Sequence, residues 1–315
     1  MITSILLLFI TAFSFLSFSQ EIDSTQMWID AIEQSLNYQE GTVKIKECNV
    51  TIKVPNGYGF LDKEQTNFVL VDLWGNPKDE SILGMLVKKK HGVLGDHSFA
   101  FVIEFQDIGY VKDNDAKKIN YADLLKELQA DAKAENNSRR IEGYPTVDLI
   151  GWASSPYYDS NKKVLHWAKE LYFEGEENRT LNYNLRVLGR KGVLSLNAIA
   201  SMEDLSMVKG DIQSIINNVT FDAGSKYSDF NSSTDNVAAW TIGGLVAGKV
   251  LAKAGVFAVI AKFGKFIAIA VGGIFLSMWK RIRRRKEEEQ VPAAPISNRS
   301  TNTAENETNN ETENN

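Results

Sequence analysis

Three polar side chains alternate with apolar ones in the run Leu181-Asn182-Tyr183-Asn184-Leu185-Arg186-Val187-Leu188. Successive side chains of an extended chain point to opposite faces, so Asn182, Asn184 and Arg186 share one face and Leu181, Tyr183, Leu185 and Val187 the other. A guanidinium beside two amides can hold an anionic headgroup or a peptide carboxylate, Arg186 by a bidentate contact and the amides by neutral hydrogen bonds. If the strand expected over 164–173 pairs nearby, its polar positions His166 and Glu170 join this face. A binding surface is then one reading, and an enzyme using His166 and Glu170 as acid and base is another. The competing bland arrangement is a solvated sheet face with Arg186 paired to Glu170, because antiparallel sheets often leave one face wet.

Other groups carry less. Trp152 and the run Pro156-Tyr157-Tyr158 make an expected aromatic loop, suited to gripping peptide, glycan or lipid, or else to packing under a hairpin. His91 and His97 flank a short stretch that includes Asp96, but neither their spacing nor the local glycines match a zinc site or a phosphate loop. Ser154, Ser155 and Ser195 lie in no G-x-S-x-G elbow, so no hydrolase triad is drawn from them. No catalytic set, metal or cofactor is expected.

The elements that must hold these residues alternate between two periods. Apolar residues at helical spacing mark helices over 27–38, 121–134 and 206–216. Alternation marks strands over 42–46, 50–54, 68–74, 82–88, 97–105, 146–153, 164–173, 181–189 and 193–200. Strands in hairpin succession with helices grouped between them predict an α+β domain over 20–236, a mainly antiparallel sheet covered by helices. In element order alone this is similar to the sandwich of PsbP and Mog1, a likeness of fold only.

The two ends serve other purposes. Residues 1–19 carry an apolar stretch of about fourteen residues followed by small residues, the pattern of a signal peptide rather than of a span, which needs about twenty. Cys48 is the only cysteine, so no intramolecular disulfide exists and a buried thiol is expected. Near the other end, 255–280 is expected to be one transmembrane helix. Lys262 and Lys265 would snorkel to the outer interface, and Trp279 would mark the inner one. Lys280, Arg281, Arg283, Arg284 and Arg285 then stay cytoplasmic, as the positive-inside rule requires.

Residues 237–254 read as an amphipathic helix lying on the membrane or packing against the span. Its glycines, with Gly272 and Gly273, would allow a homo-oligomer, hence a third reading of the chain as an oligomeric membrane scaffold. The basic cluster at 280–286 leads into a polar acidic tail, 281–315 in all, that cannot bury enough apolar surface to fold. The net charge is −5 and this basic cluster adjoins the span, so the expected partner is the lipid bilayer and not nucleic acid.

A set of local runs resembles one family. Gly109-Tyr110-Val111-Lys112-Asp113, Gly143-Tyr144-Pro145, Gly151-Trp152-Ala153, Leu165-His166-Trp167-Ala168 and Leu181 through Leu194 resemble the predicted membrane-anchored bacterial proteins called DUF2167, over about 42–285. The resemblance implies an envelope protein at the inner membrane, with the folded domain periplasmic and the tail cytoplasmic. It implies no activity. The reading is therefore a non-enzymatic module binding a small ligand or an envelope protein.

Overall fold

A computed structural model describes residues 26–249, except Pro77 and Asp96. The expected signal peptide, transmembrane helix and tail lie outside the described residues, as do Lys262, Lys265, Trp279, Lys280, Arg281, Arg283, Arg284 and Arg285. Among the described residues no helix is long and apolar enough to cross a membrane.

The chain opens with helix α1, residues 26–35, and a hairpin of β1 (Thr42–Ile45) and β2 (Val50–Lys53). Next come β3 (Tyr58–Asp62), helix α2 (Lys63–Asn67), β4 (Ile82–Lys88) and β5 (Ala100–Gln106). The long helix α3 (Tyr121–Ile141) precedes a four-stranded meander, β6 (Val147–Asp159), β7 (Val164–Phe173), β8 (Thr180–Leu188) and β9 (Val193–Ser201). Helix α4 (Leu205–Asn218), β10 (Val219–Phe221) and the short α5 (Ile242–Ala247) complete the described chain. The strands form a seven-stranded sheet, β3-β4-β5-β9-β8-β7-β6, and a three-stranded one, β1-β2-β10. Every strand pairing in both is antiparallel, so the domain is α+β with mainly antiparallel sheets and covering helices.

Alternation along the central strands sends apolar residues to both faces of the large sheet. On one face Leu181, Tyr183, Leu185 and Val187 meet Val208, Ile212, Ile215 and Ile216 of α4, together with Ile52, Val219 and Phe221 of the small sheet. The i, i+4, i+7, i+8 spacing in α4 makes its apolar stripe and dictates this docking. The other face is split. One cluster joins Leu61, Met85 and Val87 to Val69, Leu70 and Trp74. A second joins Leu165 and Trp167 to Leu124 and Leu128 of α3 and to Ile242, Leu245 and Val246 of α5.

Three expectations are corrected. Residues 68–74 are not a strand; Phe68–Leu73 forms a π-helical turn that continues α2, a helix capped by the Asp62 side chain accepting from the Gln65 amide. A short apolar run bears no period that separates strand from helix, and here burial of Val69 and Leu70 decides. The aromatic loop does not exist as a loop, because β6 runs through Trp152 and Tyr157-Tyr158 to Asp159. It is the edge strand, with register shifts at Leu149/Gly151, Trp152/Ser154 and Ser154/Tyr157. Such irregularities tolerate Pro156 and blunt an exposed edge.

Helix α3 is also longer than expected, because its polar end finds partners. Asn136 donates to the Val147 carbonyl (3.2 Å) and accepts from the Val147 amide (2.8 Å), as a paired strand would. Arg139 donates to the Pro145 carbonyl (2.7 Å), and Gln129 to those of Leu149 and Ile150.

The segment that leads to α5 is stitched down by residues of the 109–115 stretch and of the β8–β9 turn. Gly109, at φ +88°, lies where a Cβ would stand 2.8 Å from the Asn236 carbonyl oxygen. That close approach lets Tyr110 bond to both neighbours of Val237, its amide donating to the Asn236 carbonyl and its carbonyl accepting from the Ala238 amide, both at 2.9 Å. Arg190, in the β8–β9 turn, grips Asp235 bidentately at 2.7 and 2.9 Å. Asp115 accepts from the first amides of α5, Ile242 and Gly243. Of the expected membrane-lying segment 237–254, the described part thus turns Ile242, Leu245 and Val246 into the domain.

Candidate functional site

The register of β7 against β8 decides which polar side chains meet. Residues directly opposite in an antiparallel pair lie on the same face. Leu165 faces Arg186, Trp167 faces Asn184 and Lys169 faces Asn182, whereas His166 faces Leu185 and Glu170 faces Leu181. The polar face of β8 is therefore shared with Trp167 and Lys169. His166 and Glu170 lie on the opposite, α4 side.

This polar face is not wet. Asn182, Asn184 and Arg186 are 5%, 4% and 6% exposed, because α3 and α5 roof this part of the sheet. Between floor and roof lies a cavity of about 320 Å³. Its floor is Trp167, Lys169, Leu171, Asn182, Asn184 and Arg186. Its roof includes Leu128, Asp131, Ala132 and Glu135 of α3 and the residues from Leu245 to Lys249. Lys249 closes one side, its Nζ 2.8 Å from Glu127 Oε1 and 2.6 Å from Asp131 Oδ2.

The floor is rich in donors. Asn184 Nδ2 donates to Asn182 Oδ1 (2.5 Å), so the amides largely satisfy each other. Arg186 donates to the Leu185 carbonyl (3.0 Å) and weakly to Asn184 Oδ1 (3.4 Å), with its guanidinium 5.3 Å from the centre of the Trp167 ring. Each of these is a neutral acceptor. Burial works against the Arg186 charge, and the Glu104 carboxylate on β5 works for it. Glu104 is itself pushed up by burial and drawn down by Arg186.

Lys169 has no hydrogen-bond or ion-pair partner among the described residues, and burial, followed by the Arg186 charge, pushes its ammonium down to about 8. Of the six buried side-chain atoms that lack partners among the described residues, three are Trp167 Nε1, Ser195 Oγ and Asn197 Oδ1. All three residues lie on this face, since Ser195 opposes Arg186 and Asn197 opposes Asn184. Interiors rarely leave such groups unpaired, and each costs on the order of 1–3 kcal/mol.

The remaining candidates lie elsewhere. His166 Nδ1 sits 3.0 Å from the Tyr183 hydroxyl, its imidazole pushed down by burial, and Glu170 is ion-paired with Arg179. Four residues along a strand separates His166 and Glu170 by about 13 Å, too far for one acid–base pair. Trp152 shares the cavity's face but packs under the start of α3, its indole donating to the Tyr121 carbonyl (3.1 Å). His97 contacts Asp204 (2.6 Å) and stands edge-on to His91, while Asp96 lies outside the described residues. Lys169 and Trp167 were missed, although both stand at odd positions of an alternating strand and only the register was needed to join them to Arg186.

These features define an antiparallel α+β domain with a cationic, ligand-sized cavity under its helices. The chain belongs to the family described as protein of unknown function (DUF2167), and the match spans residues 37–276. Among solved structures, it is similar to the cyanobacterial PsbP (CyanoP) of Synechocystis sp. PCC 6803. That structure is 8% identical at a TM-score of 0.34, the match covering 57% of this chain and 91% of that one. It is similar also to the Ran-binding protein Mog1p of Saccharomyces cerevisiae, 8% identical at a TM-score of 0.31, covering 62% and 100%. A third is LpqN, involved in cell envelope biogenesis of Mycobacterium tuberculosis, 13% identical at a TM-score of 0.29, covering 60% and 93%. No curated protein matches the chain.

Proposed function

We propose that this protein is a membrane-anchored bacterial envelope protein whose α+β domain faces the periplasm and works as a non-enzymatic ligand-binding module. The site is the cavity between β7–β8 and α3–α5. One observation carries the reading: the polar face of β8 is buried in the wall of a ligand-sized cavity, where the neighbouring Trp167 indole Nε1 has no partner among the described residues and Lys169 no ion pair. A volume of about 320 Å³ is at the small end of what ligand pockets enclose. Anchoring rests on the sequence at both ends, an export signal over 1–19 and one span over 255–280 followed by the basic cluster.

The test uses the full-length chain purified from its own membranes, with Ala132→Phe as control. Ala132 is a half-buried roof residue, and a phenyl ring there projects into the cavity and obstructs it. The wild type is expected to retain a small molecule near one per chain after purification, released on denaturation and identified by mass spectrometry, and the variant to retain none. Equal retention by both proteins, or none by the wild type, overturns the reading. Orientation is checked with cysteines at Ser232 and Ser297: an impermeant maleimide should label Ser232→Cys on intact spheroplasts and Ser297→Cys only after lysis.

A further inference from the structure

We propose that the cavity selects an amphipathic anion, a carboxylate or phosphate monoester on a short apolar body, with the anionic group held between Lys169 and Arg186. This rests on the cavity being a binding site, and adds the chemical class of its occupant.

The charges on the floor do not balance. Lys169 is without a partner among the described residues, and the hydrogen bonds of Arg186 all go to neutral oxygens. The carboxylates on the roof are engaged elsewhere: Asp131 is ion-paired with Lys249, and Glu135 supports the charge of Arg139 on its own helix. Glu104 is the remaining anion near Arg186, and makes no hydrogen bond to it. Arg186, buried on β8, and Lys169, half-buried four residues further along on β7, reach toward each other with long side chains so that each feels the other's charge, a costly arrangement unless an anion joins them. A carboxylate or phosphate supplies the acceptors that the floor lacks, accepting from the fixed guanidinium fork of Arg186 and from the mobile ammonium of Lys169. A neutral or cationic ligand would leave those donors unpaired.

Between the charged roof residues the wall is apolar, with Leu128, Leu149, Trp167, Leu171, Leu245 and Val246 making most of its surface. An ion as small as inorganic phosphate would leave this surface uncovered. An apolar body of about six carbons covers part of it at about 25 cal/mol per Å². The floor thus sets the charge of the ligand and the roof sets its greasiness.

The experiment measures binding to the full-length chain in nanodiscs with four probes of one chain length, hexanoate, hexyl phosphate, 1-hexanol and hexylamine, plus inorganic phosphate. Ala132→Phe discs correct for partition into lipid. The two amphipathic anions are expected to bind at least tenfold more tightly than the other three probes. Lys169→Met should lower their affinity at least tenfold while leaving that for 1-hexanol unchanged. If 1-hexanol or hexylamine binds the wild type as tightly as hexanoate, or if Lys169→Met binds hexanoate normally, the anion inference fails and the cavity remains a binding site. Inorganic phosphate binding as tightly as hexyl phosphate overturns the apolar half. Failure of every probe to bind in a manner abolished by Ala132→Phe removes both readings.

Discussion

Replacing Lys169 by Met should change how the protein's stability depends on pH. The folded chain holds this ammonium at about 8, against 10.5 for a free lysine, because burial and then the Arg186 charge oppose it. A folded value below the unfolded one means that between about pH 8 and 10.5 the unfolded chain keeps a proton that the native chain has released. Stability then rises with pH, by about 1.4 kcal/mol per unit across that window, and the penalty of about 3 kcal/mol is fully present only below pH 8.

Other groups pull the opposite way at higher pH. Burial pushes the Cys48 thiol up to about 12, so above pH 9 the unfolded chain loses a proton that the native one keeps. The readable quantity is therefore the difference between wild type and Lys169→Met, in which Cys48 and the tyrosines cancel. Glu104, Arg186 and the roof residues Asp131, Glu135, Arg139 and Lys249 remain in both proteins, so the loss of the Arg186 charge, which burial brings down to about 10, enters both curves and drops out of the difference. In urea unfolding of the full-length, ligand-stripped chain, followed by tryptophan fluorescence, the variant's advantage should shrink by about 2 kcal/mol between pH 7 and 9.5. The different packing of Met adds only a constant offset. A difference that stays flat over that range refutes the claim that Lys169 sits desolvated beside Arg186.

Three further outcomes follow from the same geometry. His166→Gln and Glu170→Gln should leave hexanoate affinity within twofold of wild type, since both side chains lie across the sheet from the cavity; a tenfold loss in the nanodisc assay would place them in the site. Gly192→Ala puts a Cβ 2.1 Å from the Gln106 carbonyl oxygen, and should cost about 1–3 kcal/mol in urea unfolding, a cost that a wild-type midpoint would contradict. Lys249→Met removes two half-exposed pairs worth roughly 0.5 kcal/mol each, so stopped-flow release of hexyl phosphate should quicken about fivefold. An unchanged release rate would mean that this side of the cavity is not the way out.

Much of this was legible in the residues themselves. Alternation from Leu181 to Val187 assigns each side chain of β8 to a face, because the period of an extended chain is two whatever surrounds it. The spacing of Val208, Ile212, Ile215 and Ile216 likewise determines a helix with one buried stripe, and the meander of β7, β8 and β9 follows from short polar turns between alternating runs. What no single strand can determine is how its faces match those of its neighbour. A shift of one residue exchanges every side chain between faces, and that parity is set by turn geometry and packing.

The cluster of His166 and Glu170 with Arg186 fails by such a single step, which brings in Trp167 and Lys169 instead. Nor does alternation say whether a polar face is wet. The burial of Asn182, Asn184 and Arg186 comes from α3 and α5, elements that precede and follow the β6–β9 meander in the sequence, the second held to the domain through Asp115, Tyr110 and Arg190. Local periodicity determined the strands and their two faces. Only long-range packing turned one of those faces into the floor of a cavity, because the desolvation that gives Lys169 and Arg186 their chemistry exists only after both roof helices have closed over them.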